Sequence, residues 1–224
     1  SPDTEIAPIE LEGGRGVVYS ASREAQPQLF RLDVASGREV QLAPVKDAFQ
    51  VAEDLSPDGT TLVYTARTPD SPFDIWGVAL SGAATPFPIF RSAFNKWDVR
   101  VAPDGRALAF LSDESGRPEA YVMPYPGPGE RRRVSAGGAR CVRWGPDGRE
   151  LLYLSLDRRF MTVPVPAGPA LAPGAPRELF ALAGRPWTEF VVSRDGKRFL
   201  AIVPETVVGE QPLTVVANWA PGAR

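Results

Sequence analysis

Asp98 and Glu189 are the residues of this chain that come closest to a catalytic pair. Two carboxylates that face each other can share general acid and base roles, and in glycoside hydrolysis their separation decides the mechanism. The two residues lie far apart in the chain, and nothing in the sequence sets their distance in space. A glycosidase or lyase that uses these carboxylates is therefore the alternative hypothesis, and no catalytic residue is assigned.

Four more aspartates recur in nearly identical turns, and these turns have a structural explanation. The tetrapeptides are SPDG at 56–59, APDG at 102–105, GPDG at 145–148 and SRDG at 193–196. Proline presets φ at the first corner, aspartate accepts hydrogen bonds from nearby backbone N–H groups, and glycine takes a positive φ. Because each copy would lie on its own repeat, far from the others, we interpret all four as turn residues: Asp58, Asp104, Asp147 and Asp195.

The chain contains no histidine and a single cysteine, Cys141, and this excludes several catalytic mechanisms. Histidine is the commonest general base and metal ligand, so neither a Ser-His-Asp triad nor a Cys-His pair can be built from this chain alone. One cysteine allows neither an internal disulfide nor a thiolate zinc site. The sequence predicts no metal site and no cofactor, and Cys141 is interpreted as a small buried hydrophobic residue.

The charge balance argues against nucleic acid and membrane as partners. The 224 residues include 25 basic and 27 acidic side chains, for a net charge of −2. No net positive field exists to attract a polyanion or an anionic bilayer, and the longest apolar runs have the length of strands. Because the chain begins at Ser1 without a signal-peptide pattern, we expect a segment of a longer protein whose membrane anchor, if any, lies upstream.

The turns recur with the period of a β-propeller. Their glycines are spaced 46, 43 and 48 residues apart, and each is followed by a short apolar run. A turn signature at this interval is typical of one four-stranded blade per repeat. A degenerate repeat lies upstream, where GVVYSA at 16–21 parallels TLVYTA at 61–66. The sequence predicts an all-β propeller of about five four-stranded blades in one domain, 1–224, with repeats at about 1–45, 46–92, 93–136, 137–183 and 184–224.

The apolar runs between the turns predict the individual strands, with the innermost strand of each blade first. The predicted strands are 6–11, 16–21, 28–34 and 39–42; 50–55, 61–66, 74–80 and 86–91; 97–102, 107–112, 120–125 and 131–135; 140–144, 150–155, 160–165 and 177–181; and 188–193, 198–203 and 213–219. The last blade lacks a predicted outermost strand, and residues 2–6 are available to supply it and close the ring.

The second half of the chain carries more specific motifs than a generic propeller. These are EAYVMPYPGPG at 119–129, VRWGPDGRELLY at 142–153 and QPLTVVANW at 211–219. Their order resembles the carboxy-terminal end of the TolB-like (PD40, WD40-like) propellers that are attached to bacterial transmembrane serine/threonine protein kinases. The resemblance is detailed over about residues 97–219 and holds only at the level of the repeat upstream.

That resemblance implies a non-catalytic sensor or scaffold domain in the extracytoplasmic space of a bacterium. The chain has no glycine-rich phosphate loop, His-Arg-Asp loop or Asp-Phe-Gly motif, so any kinase activity would belong to an upstream domain. The family's propellers commonly have six or more blades. The chain is therefore either a closed five-bladed ring or the C-terminal part of a larger propeller that self-associates through open blade edges.

Candidate binding residues lie where the chain leads into the innermost strands, at the mouth of the central channel. Tryptophan, arginine and carboxylates are enriched there, and residues of these types dominate binding hot spots. We expect this surface to bind a protein or a small polar ligand. In the alternative, the tryptophans pack between blades, the acids pair with Arg140 or Lys96, and Asp54, Arg100 and Arg143 form an inter-blade ion pair. The predicted binding residues are Lys96, Trp97, Asp98, Arg140, Trp187 and Glu189.

Overall fold

The chain folds into five consecutive antiparallel sheets, which we number as blades 1 to 5 in chain order. The computed structural model describes residues 4–23, 26–82, 84–127, 129–166, 171–181, 189–193, 195–202 and 214–217. In each blade the strands pair with their neighbours in the chain, so every blade is a simple meander. This arrangement confirms the predicted all-β propeller.

The blades contain nineteen strands and one 3₁₀ turn, Glu12–Gly14, among the described residues. Blade 1 consists of β1 (Thr4–Glu10), β2 (Gly16–Ser22), β3 (Gln28–Asp33) and β4 (Glu39–Leu42). Blade 2 consists of β5 (Phe49–Leu55), β6 (Thr61–Thr68), β7 (Ser71–Ala79) and β8 (Pro86–Phe90). Blade 3 consists of β9 (Lys96–Val101), β10 (Ala107–Ser112), β11 (Glu119–Pro124) and β12 (Arg132–Arg133). Blade 4 consists of β13 (Ala139–Trp144), β14 (Glu150–Ser155), β15 (Arg159–Pro164) and β16 (Arg177–Ala181), and blade 5 of β17 (Glu189–Val192), β18 (Arg198–Ile202) and β19 (Thr214–Ala217).

The second strand of each blade has a continuous apolar stretch rather than an alternating pattern. All six residues of β10 are buried, as are five of the six in β14. A strand lacks the alternating pattern when both faces of its sheet are covered. In this fold the cover comes from the blades on either side.

The hydrophobic core is divided into clusters that lie between adjacent blades. One cluster joins blades 1 and 2, a second joins blades 2 and 3, a third joins blades 3 and 4, and a fourth joins blades 4 and 5. Trp144 shows how such a junction is held: its ring is buried between blades 3 and 4, and its Nε1–H donates to the carbonyl of Arg100 at 3.0 Å. Trp144 is therefore a packing residue between blades 3 and 4.

The recurring turns have the predicted structural role. Gly59, Gly105, Gly148 and Gly196 all adopt φ values between 67° and 71°. Each aspartate accepts a hydrogen bond from the backbone two residues later, as Asp147 does from Arg149 N–H at 2.9 Å. The turn lies at the end of the innermost strand, and we call this end of the molecule the turn face. The opposite end, where the chain leads into the innermost strands, is the mouth face.

The described residues show no core cluster that joins blade 5 to blade 1. The remaining cluster, around Tyr19, Ala21 and Phe30, belongs to blade 1 alone. The prediction that residues 2–6 complete the last blade is wrong for Thr4–Ile6, because these residues pair with Ser20–Ser22 as the innermost strand of blade 1. Among the described residues β1 pairs with β2 and is not part of the sheet of blade 5.

Candidate functional site

The mouth face includes the loops that lead into β9 and β13, and a buried carboxylate helps to fix each of these loops. Before β9, Asp74 accepts hydrogen bonds from Ser92 N–H at 3.1 Å and from Lys96 Nζ at 2.6 Å. Asp113 holds Asn95, the residue directly before Lys96. Its two oxygens accept hydrogen bonds from the backbone and side-chain amides of Asn95 at 2.9 and 2.8 Å. The loop is thus attached to blades 2 and 3 by charged groups rather than by apolar packing.

Lys96 is fully buried, and its ammonium forms an ion pair with Asp74. It also lies 5.2 Å from the centre of the Phe90 ring. Burial lowers the pKa of Lys96, while the Asp74 carboxylate opposes that shift. A buried cation is tolerated only with such a partner. The structure therefore places Lys96 inside the protein, where it positions the mouth loop and does not reach solvent.

The loop before β13 is held by Glu119, which is completely buried in β11. Its carboxylate accepts hydrogen bonds from the Ser135 hydroxyl and from Gly138 N–H at 3.0 Å, and it pairs with Arg117 at 2.8 Å. This loop delivers Arg140 to the mouth face. Arg140 is exposed, and its guanidinium makes no ion pair with any residue that the structure describes.

Trp97 is half-buried and packs against the core between blades 3 and 4. The structure thus supports the packing alternative for this residue, with part of its ring left accessible. Trp187 lies outside the described residues, so its predicted place at the mouth of the channel stays a prediction.

Asp98 and Glu189 are brought together through Arg143. The guanidinium of Arg143 contacts Asp98 Oδ1 at 2.8 Å and Glu189 Oε1 at 2.5 Å. Arg100 contacts the same Asp98 oxygen at 2.8 Å. The expected pairing of these acids with Arg140 or Lys96 is wrong, because both acids bind arginines further along the innermost strands. The side chain of Glu189 remains 47% exposed, whereas that of Asp98 is 13% exposed.

The predicted ion pairing between blades is present, but only two of its three predicted members take part in it. Arg100 and Arg143 both take part, as expected. Asp54 instead accepts a hydrogen bond from the backbone N–H of Val101 at 2.9 Å. Arg100 also contacts Glu53 of blade 2 at 3.6 Å, so the ion pairs run from blade 2 through blades 3 and 4 to blade 5, and the hydrogen bond of Asp54 is a further link between blades 2 and 3.

A hydrogen bond from the innermost strand of one blade to a side chain of the preceding blade recurs at three junctions, and the sequence did not reveal it. In each case the side chain accepts the backbone N–H of the innermost strand. These three side chains join the blades around the channel. The acceptor–donor pairs are Ser20–Ala52, Glu53–Val99 and Asp98–Val142.

Glu53 is the most perturbed acid of this network. Burial raises its pKa to about 7, with Arg100 lowering it and Asp98 raising it again. Its oxygens accept hydrogen bonds from the Thr65 hydroxyl at 2.9 Å and from Val99 N–H at 3.2 Å. The carboxyl is therefore satisfied within the protein and is not open to a substrate.

Cys141 is buried in β13, as the sequence predicts. Burial raises the pKa of its thiol to about 12, so almost no thiolate exists near neutral pH. We expect iodoacetamide to leave Cys141 unmodified in the native protein at about pH 8 and to modify it fully in urea. Intact mass spectrometry distinguishes the two states, and rapid alkylation of the folded protein would contradict the buried position.

Two general properties of the described residues bear on the site. No three His, Cys, Asp or Glu side chains among them gather closely enough to hold a metal ion. None of the described helical segments has the length and hydrophobicity needed to cross a bilayer.

Solved structures with the same architecture identify the fold. TolB from Acinetobacter baumannii superposes with a TM-score of 0.68 at 20% identity, over 89% of this chain and 49% of that one. A protein assigned as TolB from Agrobacterium tumefaciens gives 0.68 at 17% identity, over 96% of this chain and 76% of that one. The fold is a TolB-like β-propeller. No family model matches the sequence.

The same fold also occurs in an enzyme. An oligogalacturonate lyase in complex with manganese superposes on this propeller with a TM-score of 0.66 at 16% identity, over 91% of this chain and 59% of that one. The chain spans about half the length of the Acinetobacter protein. At these identities the comparison shows the fold and leaves the activity to the residues of the site.

Proposed function

We propose that this TolB-like propeller is a non-catalytic binding module whose mouth face recognises a protein or a small polar ligand. The observation that supports this most directly is the contrast among three arginines, one on β9 and two on β13. Arg100 and Arg143 are held by carboxylates within the network, whereas Arg140 is exposed without an ion pair in the described part of the chain. An exposed arginine on a rigid strand can donate to a carboxylate of a partner.

Two other accessible side chains, those of Glu189 and Phe94, extend the proposed binding surface. Glu189 offers a half-exposed carboxylate that already has a fixed geometry, because Arg143 holds one of its oxygens. Phe94, in the loop before β9, is 41% exposed. Such a combination of charge and accessible aromatic surface on fixed elements is typical of recognition sites. Together with Trp97 and Asp98, these residues would form the ligand-binding set.

A more specific proposal follows from the resemblance of the sequence to kinase-attached TolB-like propellers. We infer an extracytoplasmic sensor or scaffold domain that is linked to a bacterial serine/threonine kinase or another envelope protein. Its support is the motif order over about residues 97–219 together with the TolB-like fold. The complete open reading frame tests this proposal: a kinase domain and one membrane helix encoded ahead of Ser1 are expected.

The enzymatic alternative is a lyase or glycosidase that uses the mouth carboxylates, as the fold of the oligogalacturonate lyase suggests. Hydrolysis of a glycosidic bond needs one carboxyl group that donates a proton while the other acts as base or nucleophile. Asp98 and Glu189 instead share one guanidinium, which favours two carboxylates that only accept hydrogen bonds. We therefore prefer binding over catalysis.

Charge reversal at Arg140 tests the binding proposal. Wild-type protein and Arg140→Glu are immobilised and exposed to an envelope extract, and captured partners are quantified by mass spectrometry. We expect partner affinity to fall about tenfold or more in Arg140→Glu, since a central arginine contact is lost and a like charge is added.

Arg149→Glu is the matched control, because Arg149 is also an exposed arginine of blade 4 but lies on the turn face. It should bind as the wild type does. Equal losses in both variants, or no loss in either, would contradict a site at the mouth. Circular dichroism confirms that both variants are folded.

A further inference from the structure

One arginine on the turn face joins blade 4 to blade 3 through backbone carbonyls. Arg106 follows the turn of blade 3, and its guanidinium donates to Gly148 O and Val165 O at 2.8 Å each and to Pro166 O at 3.1 Å. Its Nε–H also pairs with Asp104 of its own turn. The junction between blades 3 and 4 therefore contains a built guanidinium site of one carboxylate and three carbonyls.

The junction between blades 2 and 3 has the same acceptors but lacks the arginine. The corresponding residue of blade 2 is Thr60, since Thr60 and Arg106 each directly precede the second strand of a blade. The backbone confirms the correspondence of the loops: Tyr125 N–H donates to Arg106 O, as Val165 N–H donates to Arg149 O. The counterparts of the four acceptors are the Asp58 carboxylate and the carbonyls of Gly105, Tyr125 and Pro126.

These counterparts line an open pocket. It has a volume of about 550 Å³, and its wall includes all four residues that correspond to the acceptors of Arg106. In the part of the chain that the structure describes, no donor reaches the carbonyls of Gly105, Tyr125 or Pro126. Asp58 uses Oδ1 for its turn, accepting from the Ser56 hydroxyl and from Thr60, and leaves Oδ2 without a partner there.

The rest of the wall suits the flat faces of a guanidinium. Phe87 is 39% exposed at this pocket, and Tyr125 and Pro57 complete the apolar side. Aromatic rings attract arginine through its cation and its planar shape. Hydrogen bonds from Ser56 and Thr60 lower the pKa of Asp58, so its carboxylate stays negative near neutral pH.

The junction between blades 1 and 2 also has an arginine that donates to one of the corresponding carbonyls. There Arg31, from β3, donates to Leu80 O at 2.6 Å. Leu80 corresponds to Tyr125 and Val165, because its N–H donates to Thr60 O. Among the three described junctions of this kind, only the one between blades 2 and 3 has no arginine donor to these carbonyls.

We propose that the pocket between blades 2 and 3 binds an arginine side chain of a protein partner. The partner's guanidinium would take the place that Arg106 occupies at the next junction, between the Asp58 carboxylate and the three carbonyls, with its face against Phe87. This site lies on the turn face and is independent of the proposed mouth site.

The test uses NMR titration of the whole chain with the peptide acetyl-Gly-Arg-Gly-amide. Its neutral control is the same peptide with citrulline, which keeps the shape and loses the charge. We expect saturable amide shifts centred on Gly105, Phe87 and Tyr125 with the arginine peptide, and binding weaker by at least about tenfold with citrulline.

Two variants at one exposed position provide the internal control. Thr60→Arg supplies the missing guanidinium from within the chain, so it should abolish the response to the arginine peptide and raise the melting temperature. Thr60→Gln adds length without charge and should keep the response. Equal binding of both peptides, shifts outside the pocket, or an unchanged response in Thr60→Arg would each overturn the proposal. If Thr60→Arg does not fold, loss of the response in Asp58→Asn supports the site, and retention rejects it.

Discussion

Replacement of Arg143 by methionine is expected to lower the free energy of unfolding by about 3 kcal/mol. The guanidinium is 11% exposed and is shared by Asp98 of blade 3 and Glu189 of blade 5. Methionine retains much of the buried stem and removes the charge, so Asp98 loses one of its two cations in a poorly solvated position. Arg100 still contacts Asp98 at 2.8 Å, and this remaining pair keeps the loss at the lower end of the range for broken buried ion pairs. Urea unfolding followed by tryptophan fluorescence measures the effect.

Arg140→Met is the matched control, since Arg140 lies on the same strand and is exposed without an ion pair in the described residues. Its stability should remain within about 0.5 kcal/mol of the wild type. A double-mutant cycle then separates the two carboxylates: coupling of Arg143 to Asp98 should exceed coupling to the half-exposed Glu189. Similar losses for Arg143→Met and Arg140→Met would show that the network does not stabilise the blades.

The strands of this propeller could be predicted because their signals are local. The turns of blades 2 to 4 determine where β6, β10 and β14 begin, and apolar runs set their lengths. The predictions 107–112, 150–155 and 177–181 coincide with β10, β14 and β16. Covered faces on both sides make β10 and β14 nearly continuous apolar runs, which a single sequence displays clearly.

The partners of the mouth residues could not be predicted, because the innermost strands are irregular. The pairing of β1, β5, β9 and β13 with their neighbours shifts register within each strand. A shift of one residue turns the following side chains to the other face, so counting back from the turn does not show which side chains of the innermost strands meet. Asp98 lies in one of these bulges with φ of 49°, which directs it to Arg143 and away from Lys96.

Substitution of Glu53 by glutamine is expected to change how stability depends on pH. Burial raises the pKa of Glu53 to about 7 from its ordinary value of 4.5. Between these two pH values the carboxyl keeps its proton in the folded protein and loses it in the unfolded chain. Its contribution to stability is therefore complete below about pH 4.5 and declines as pH rises to about 7. Glutamine mimics the protonated form at every pH. Relative to wild type, Glu53→Gln should gain roughly 3 kcal/mol between about pH 4 and pH 8.

The neighbouring charge of Asp98 offers a second test of the raised pKa of Glu53. Because the Asp98 carboxylate raises the pKa of Glu53, Asp98→Asn should move the inflection of the stability curve to lower pH. Asparagine suits this position, since it tolerates the positive φ of Asp98 and can still accept the hydrogen bond from Val142 N–H. Chemical denaturation across this pH range supplies the curves, and the ¹³C shift of the Glu53 carboxyl reports its protonation directly. If the stability difference between Glu53→Gln and wild type stays constant with pH, Glu53 is charged in the folded protein. The attraction of Arg100, which lowers the pKa of Glu53, would then outweigh the effect of burial, which raises it.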